Sequence, residues 1–156
     1  MNSVLLKQKD LFSKRWRAVA VRSQKEVELH IQLVAMLRWC LRPDVLFRHV
    51  PNGELRDPRT AAKLKAMGVL PGSADLEFFW KHYWEDSEGS HRALRVLFLE
   101  LKSGSGSVSA AQHEFGLGMK VIGAEYHIAR SIDEAIAILG SYGLIRPDVT
   151  VCARRW

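Results

Sequence analysis

Cys40 and Cys152 are the only two cysteines in the 156 residues, and they lie far apart with no CxxC pair. That excludes a disulfide framework and a zinc knuckle, which need paired thiols at short spacing, and it points to a reducing, cytoplasmic setting. No apolar run approaches the roughly 20 residues that a membrane-crossing helix needs, and the N-terminus carries no sustained apolar stretch of the secretory kind. A GxxxxGK[ST] phosphate cradle is also missing, although Gly104-Ser105-Gly106 supplies a glycine-rich stretch. Acids are scarce at the start of the chain. From Lys7 to Lys25, Lys7, Lys9, Lys14, Arg15, Arg17, Arg22 and Lys25 face Asp10 alone.

What is present is the composition of a globular domain, 47% apolar and 26% charged. The net charge of +6 and pI near 9.6 favour an acidic partner such as nucleic acid, or else simply provide a solubilising basic surface. The residues divide into a basic extension over 1–24, a folded domain over 25–142 and a tail over 143–156 that ends on Arg154 and Arg155. Basic ends of this kind either lie along phosphates or fray into solvent.

Punctuation along the domain predicts helix, strand, helix, strand, strand, helix, strand, helix. Lys25 to about Leu41 has no Gly or Pro and is dense in apolar residues, predicting a helix buried on much of its circumference. Val45 to Val50 predicts a strand closed by the turn Pro51-Asn52-Gly53. Asp57, Pro58 and Gly68 mark the cap, first turn and end of the next helix. A strand from Ala74 to about Trp80, a polar hairpin loop from Trp84 to Arg92 and a strand from Ala93 to Lys102 follow. Ser103 to Ser107 predicts a flexible loop. Helices start at Ser109 and Ser131, the latter with a capping box to Glu134, and Val121 to Ile128 forms a strand between them. The fold class is α/β, a mixed sheet flanked by helices in one domain.

The segment that carries chemistry is Leu99-Glu100-Leu101-Lys102. Side chains alternate along a strand, so Glu100 and Lys102 share one face and the leucines the other. Antiparallel pairing of the two hairpin strands would bring Asp75 beside Glu100. Neighbouring carboxylates repel unless a divalent cation holds both ionised, and Mg²⁺ takes one or two carboxylates together with water and phosphate oxygens. Lys102 would then orient a metal-bound water or stabilise charge developing on phosphorus. The same residues also make sense as a strand-end ion pair. On the first helix, Glu28 and Gln32 share a face with Ala35 and Trp39, and Glu28 reads either as a site acid or as the helix's wet edge. Only Glu28, not Glu26, keeps the four-residue spacing to Gln32. Glu77 shares a strand face with Asp75 and reads either as a peripheral ligand or, more simply, as a solvated edge acid. Gln112 reads as the partner of Ser109 in a capping box as much as a site residue. His49, His82, His113 and His127 show no metal-ligand spacing, and Trp16, Trp39, Trp80, Trp84 and Trp156 are too scattered for a base-stacking platform.

Five stretches in order carry a resemblance. They are Glu28-Leu29-His30-Ile31-Gln32; His49-Val50-Pro51-Asn52-Gly53; Lys65-Ala66-Met67-Gly68-Val69-Leu70-Pro71-Gly72-Ser73-Ala74-Asp75; Leu99-Glu100-Leu101-Lys102; and Gly106-Ser107-Val108-Ser109-Ala110-Ala111-Gln112. Together, from about Glu28 to Leu139, they resemble the virus-type replication-repair nuclease (VRR-NUC) family of the PD-(D/E)xK superfamily. Ala74 stands where the superfamily motif has proline. The resemblance implies a restriction-endonuclease-like core and a metal site of Asp75, Glu100 and Glu28. It also implies Lys102 as catalytic lysine, Gln112 beside it, and Mg²⁺ or Mn²⁺ as cofactor. The implied substrate is branched, flapped, four-way or double-stranded DNA in replication, repair or recombination, cut by a homodimer. Two rival readings are a nuclease-fold protein that binds nucleic acid without cutting it, and an α/β enzyme acting on a small phosphorylated substrate.

Overall fold

The computed structural model describes residues 25–51, 57–104 and 106–149. The basic extension over 1–24, the Asn52–Gly53 turn and the Arg154–Arg155 end lie outside them. The expected element order stands. Helix α1 covers residues 25–40, followed by β1 (Leu46–His49), α2 (Pro58–Ala66), β2 (Leu76–Asp86), β3 (Gly89–Leu101), α3 (Ala110–Val121), β4 (Glu125–Ala129) and α4 (Ile132–Ser141). The strands form one sheet in the order β1-β2-β3-β4. Its first two pairings are antiparallel and β3–β4 is parallel. A parallel neighbour needs a crossover, and α3 supplies it.

Alternation sorts the sheet into two faces. Leu76, Phe78 and Trp80 of β2 lie with Leu97, Leu99 and Leu101 of β3 against Leu33 and Leu37 of α1 and Ala135 and Leu139 of α4. The opposite face carries Phe98 and Tyr126, and α3 covers it by setting Phe115 edge-on to both, at centroid distances of 5.4 and 6.1 Å. Gly116 allows that approach, since a Cβ there would lie 2.6 Å from the Tyr126 ring. Among the described residues, no helix is long and apolar enough to cross a membrane.

Three expectations change. First, α1 is not buried around most of its circumference. One stripe, Leu33, Leu37 and Cys40, is fully buried, whereas Val27, Ile31 and Trp39 are more than half exposed. Spacings of four and three keep a single stripe on the sheet. Second, the polar segment from Trp84 to Arg92 is not a loop. Pairing runs unbroken to Asp86↔Gly89 and leaves a two-residue turn. His82, Trp84 and His91 stack on one face of this ribbon at centroid spacings of 5.9 and 5.3 Å. Cross-strand ring packing of this sort stabilises a ladder that polarity alone argues against. Third, residues 143–149, assigned from sequence to the tail, close the body. Leu144 is buried, Ile145 bridges Leu41, and the Arg146 amide donates to Cys40 O at 2.9 Å.

Candidate active site

The β2–β3 register places Leu76 across from Leu99, so the next position outward sets Asp75 across from Glu100. Backbone contacts fix Asp75 from two sides. Its carbonyl accepts from Val50 N at 3.0 Å and from His49 Nδ1 at 2.9 Å, and its carboxylate Oδ2 accepts from Leu101 N at 2.8 Å. The acid thus sits where the ends of three strands meet, the edge at which α/β sites collect.

Glu100 is 2% exposed. Its Oε1 pairs with Lys102 Nζ at 2.7 Å and accepts from Gln112 Nε2. Lys102 lies one residue past β3, yet its amide still donates to Ala129 O at 2.9 Å. That bond extends the ladder and keeps the lysine on the face of Glu100, as alternation requires. Gln112 serves two purposes. Its Oε1 accepts from Ser109 N at 2.9 Å in a capping box, and the other end of the amide reaches Glu100. The helix-start geometry therefore orients the site glutamine.

Burial first, and then the nearby Asp75 charge, push the Glu100 carboxyl up from 4.5 to about 7, against the pull of Lys102. Its second oxygen, Oε2, is buried and meets no donor among the described residues. The same holds for the Tyr126 hydroxyl, which burial, followed by Glu100 and Asp75, pushes up to about 12.

The helix acid that reaches this edge is Glu26. Its Oε1 accepts from Ser103 N at 3.2 Å and lies 3.4 Å from Ser103 Oγ, just past Lys102. Glu28 is exposed, on the outer face with Gln32, Ala35 and Trp39, and makes no hydrogen bond or ion pair among the described residues. The signal was available. Stepping back from Cys40, Leu37 and Leu33 in threes and fours leads to His30 and Glu26, so the buried stripe starts at Glu26.

The Ser/Gly loop is tied down rather than free. Arg130 Nη1 donates to Gly104 O at 3.0 Å and to Gly106 O at 2.7 Å. Glu77 is buried instead of solvated, because cross-strand pairing with β1 sets it beside Arg48, whose Nε lies 2.6 Å from its Oε2. Behind Asp75, His30 and His49 pack edge to face at 4.5 Å, and burial followed by His49 holds His30 below the usual histidine range. His127 hydrogen-bonds Tyr142 Oη at 2.9 Å, away from this edge. Sequence spacing singled out neither His30 nor Tyr126.

Among the described residues, no group of three or more His, Cys, Asp or Glu side chains stands ready as a ligand set. What converges is a pair of carboxylates, one with a partnerless buried oxygen. A hard divalent cation that keeps several waters suits such a pair, because it needs only one or two protein carboxylates.

No protein-family model matches the chain, and no curated protein matches it. Among solved structures the chain is similar to one described as a "VRR_NUC domain protein", at 22% identity and a TM-score of 0.54. The likeness covers 76% of this chain and 87% of that one. The chain therefore has a VRR-NUC-like, restriction-endonuclease-like fold, as its sequence motifs led us to expect.

Proposed function

We propose that the chain is a metal-dependent DNA endonuclease that prefers branched, flapped or four-way DNA. One observation carries this reading. Asp75 and Glu100 face each other across a strand pair, Lys102 and Gln112 converge on Glu100, and the second Glu100 oxygen has no donor. A buried carboxylate without a donor costs stability unless a cation or substrate meets it, which a protein that only bound nucleic acid would have no reason to keep. The likeness to a structure described as a VRR_NUC domain protein supports the same reading.

In this reading Asp75 and Glu100 hold Mg²⁺, with Mn²⁺ able to substitute, and Glu26 supplies the helix acid in the place that the motif comparison gave to Glu28. The ion, when bound, offsets the paired negative charges and polarises a phosphate oxygen. Lys102 presents its ammonium beside Glu100, where it stabilises charge gathering on the phosphoryl oxygens. Gln112 orients the Glu100 carboxylate. Cutting opposed strands of a branched DNA takes two sites, so a homodimer belongs to this proposal. The exposed Leu117 and Val121 of α3, with Ile122 just past its end, offer apolar surface for it.

The test is cleavage of labelled linear, flapped and four-way DNA with Mg²⁺, Mn²⁺ or chelator, comparing the wild type with Asp75→Ala. Branched DNA is expected to be cut first, and both chelator and Asp75→Ala to abolish cutting. Cutting that survives either would sink the mechanism, and equal cutting of linear DNA would remove the structural preference.

Protonation gives a second expectation. Between about pH 4.5 and 7, folded Glu100 keeps a proton that the unfolded chain has lost. By linkage, the metal-free protein loses stability as pH rises through that window, and the penalty is complete above it. Cation binding needs the ionised carboxylate and so must expel the proton at acid pH. The rise in Tm on adding Mg²⁺ is therefore expected to be larger at about pH 8 than at about pH 6, with proton release near one per ion at the lower pH. Calorimetry in two buffers of different ionisation enthalpy measures that release. An equal Tm rise at both pH values, with no proton released, would rule out Glu100 as the ligand.

A further inference from the structure

α2 is the only one of the helices α2, α3 and α4 that buries none of its residues. Its sequence, Pro58 to Ala66, is well built as a helix. Asp57 caps it by accepting from Arg59 N and Thr60 N at 3.0 and 3.1 Å, Pro58 occupies the first turn, and Gly68 at φ +88° ends it. What it lacks is a buried face, Leu64 alone being half-buried. A helix of nine residues is too short to persist on propensity alone and ordinarily depends on packing.

Both flanks of α2 return to the same place. On one side, β1 ends at His49 and Val50, whose Nδ1 and N–H bond Asp75 O. On the other, residues 68–74 run directly into Asp75, with Gly72 seated on the Ala111–Gln112 backbone. α2 is therefore an excursion that leaves and rejoins the chain at the candidate metal edge. Its charge is of one sign. Arg59, Lys63 and Lys65 are exposed, the helix itself contains no acid, and none of the three side chains pairs with a carboxylate among the described residues. Elsewhere Arg42, Arg48, Arg95 and Arg146 are each paired with an acid. Arg38, Lys81, Arg92 and Lys120 are exposed without an ion pair among the described residues, but they stand singly on four different elements.

We infer that α2 is the docking element for the nucleic-acid strand, Arg59 and Lys63 meeting phosphates that flank the scissile bond and Lys65 adding positive charge from the other face. The inference rests on the nuclease reading of Asp75, Glu100 and Lys102 and extends it to how substrate is held. Charge complementarity selects the occupant. Exposed cations with no acid on the helix suit a polyanion and repel a basic protein surface, and Arg59 and Lys63, four apart, share one face while Lys65 lies on the other. At about 1.5 Å per residue, Arg59 and Lys63 stand roughly 6 Å apart along the helix, close to two duplex steps, so two phosphates are within reach.

The experiment compares three proteins for binding to a fluorescent four-way DNA in chelator, across a series of salt concentrations. They are the wild type, the triple Arg59→Ala/Lys63→Ala/Lys65→Ala, and a control triple Arg38→Ala/Lys81→Ala/Lys120→Ala that removes the same charge from exposed positions elsewhere. Loss of the two phosphate contacts and of the Lys65 charge is expected to reduce the slope of log affinity against log salt by about 2 and weaken binding roughly 10- to 100-fold. In Mg²⁺, the α2 triple is expected to raise KM with kcat unchanged, the signature of lost uniform binding. The control triple is expected to keep the wild-type slope. Equal slopes for wild type and α2 triple, or an equal loss in both triples, would overturn the inference while leaving the nuclease reading standing. Wild-type protein that neither bound nor cut DNA would overturn both. Circular dichroism and melting of the α2 triple are expected to match the wild type, since no buried contact is removed.

Discussion

Lys102→Met is expected to lower single-turnover cleavage by roughly 10²- to 10³-fold, the usual loss on removing one group that stabilises transition-state charge. It is also expected to displace the pH dependence to the alkaline side. The second effect follows from the geometry. Lys102 Nζ lies 2.7 Å from Glu100 Oε1 and is among the influences that hold the Glu100 proton back, against burial and Asp75. Without the ammonium, Glu100 moves above about 7, and the ionised form that a cation needs appears only at higher pH. Methionine keeps the length of the side chain at a position that is 9% exposed, so packing is largely preserved.

Removing one partner of a buried pair usually destabilises by about 3 to 5 kcal/mol, because the remaining charge is left uncompensated. Glu100 has a way out, since it can take up a proton. The variant is therefore expected to melt close to the wild type at about pH 5 and well below it at about pH 8. Cleavage and melting measured on the same samples from about pH 5 to 9 decide the matter. A loss below tenfold with an unmoved pH midpoint would show that Lys102 serves packing and not charge.

How much of this was legible in the sequence differs by residue, and for physical reasons. Asp75, Glu100 and Lys102 were readable because strand alternation and antiparallel register are local rules, fixed by the side-chain period of two. Gln112 was readable in both roles, because a capping box and a site contact use opposite ends of one amide. Glu26 was passed over for Glu28, since spacing to Gln32 was used in place of the phase of the apolar stripe. The three-and-four spacing of Leu33, Leu37 and Cys40 carries that phase in the sequence itself. Glu77 was misread as solvated because its partner Arg48 lies 29 positions earlier, on a strand paired only through the folded sheet. The ribbon from Trp84 to Arg92 was misread as a loop for a related reason. Its polar residues suggest solvent, and all of 81–90 are indeed exposed, but the ladder there is held by backbone pairing and by the His82–Trp84–His91 stack. The orphaned oxygens of Glu100 and Tyr126 could not be read from sequence at all, because a missing donor is visible only once every neighbour is placed.

Gly72→Ala is expected to be the most damaging single-methyl change in the domain, lowering stability by about 3 to 5 kcal/mol. Two costs add. Gly72 sits at φ +75°, a left-handed conformation that costs an alanine about 1 to 3 kcal/mol. A Cβ there would also come within 2.5 Å of Ala111 O and Gln112 N, which are backbone atoms of the first turn of α3 and cannot swing aside as a side chain would. The only relief is for α3 to move away, and α3 carries Gln112. Displacing its start breaks the Gln112–Glu100 contact and tilts Phe115 off Phe98 and Tyr126. Stability and cleavage should therefore fall together, with Tm lower by roughly 10 °C for a domain of this size. Gly68→Ala separates the two costs. Gly68 has φ +88° but nothing within 4 Å of its added Cβ, so it is expected to lose only the conformational part and to keep cleavage near wild type. If the two variants melt alike and cut alike, the close seat of Gly72 on α3 is not what holds Gln112 against Glu100.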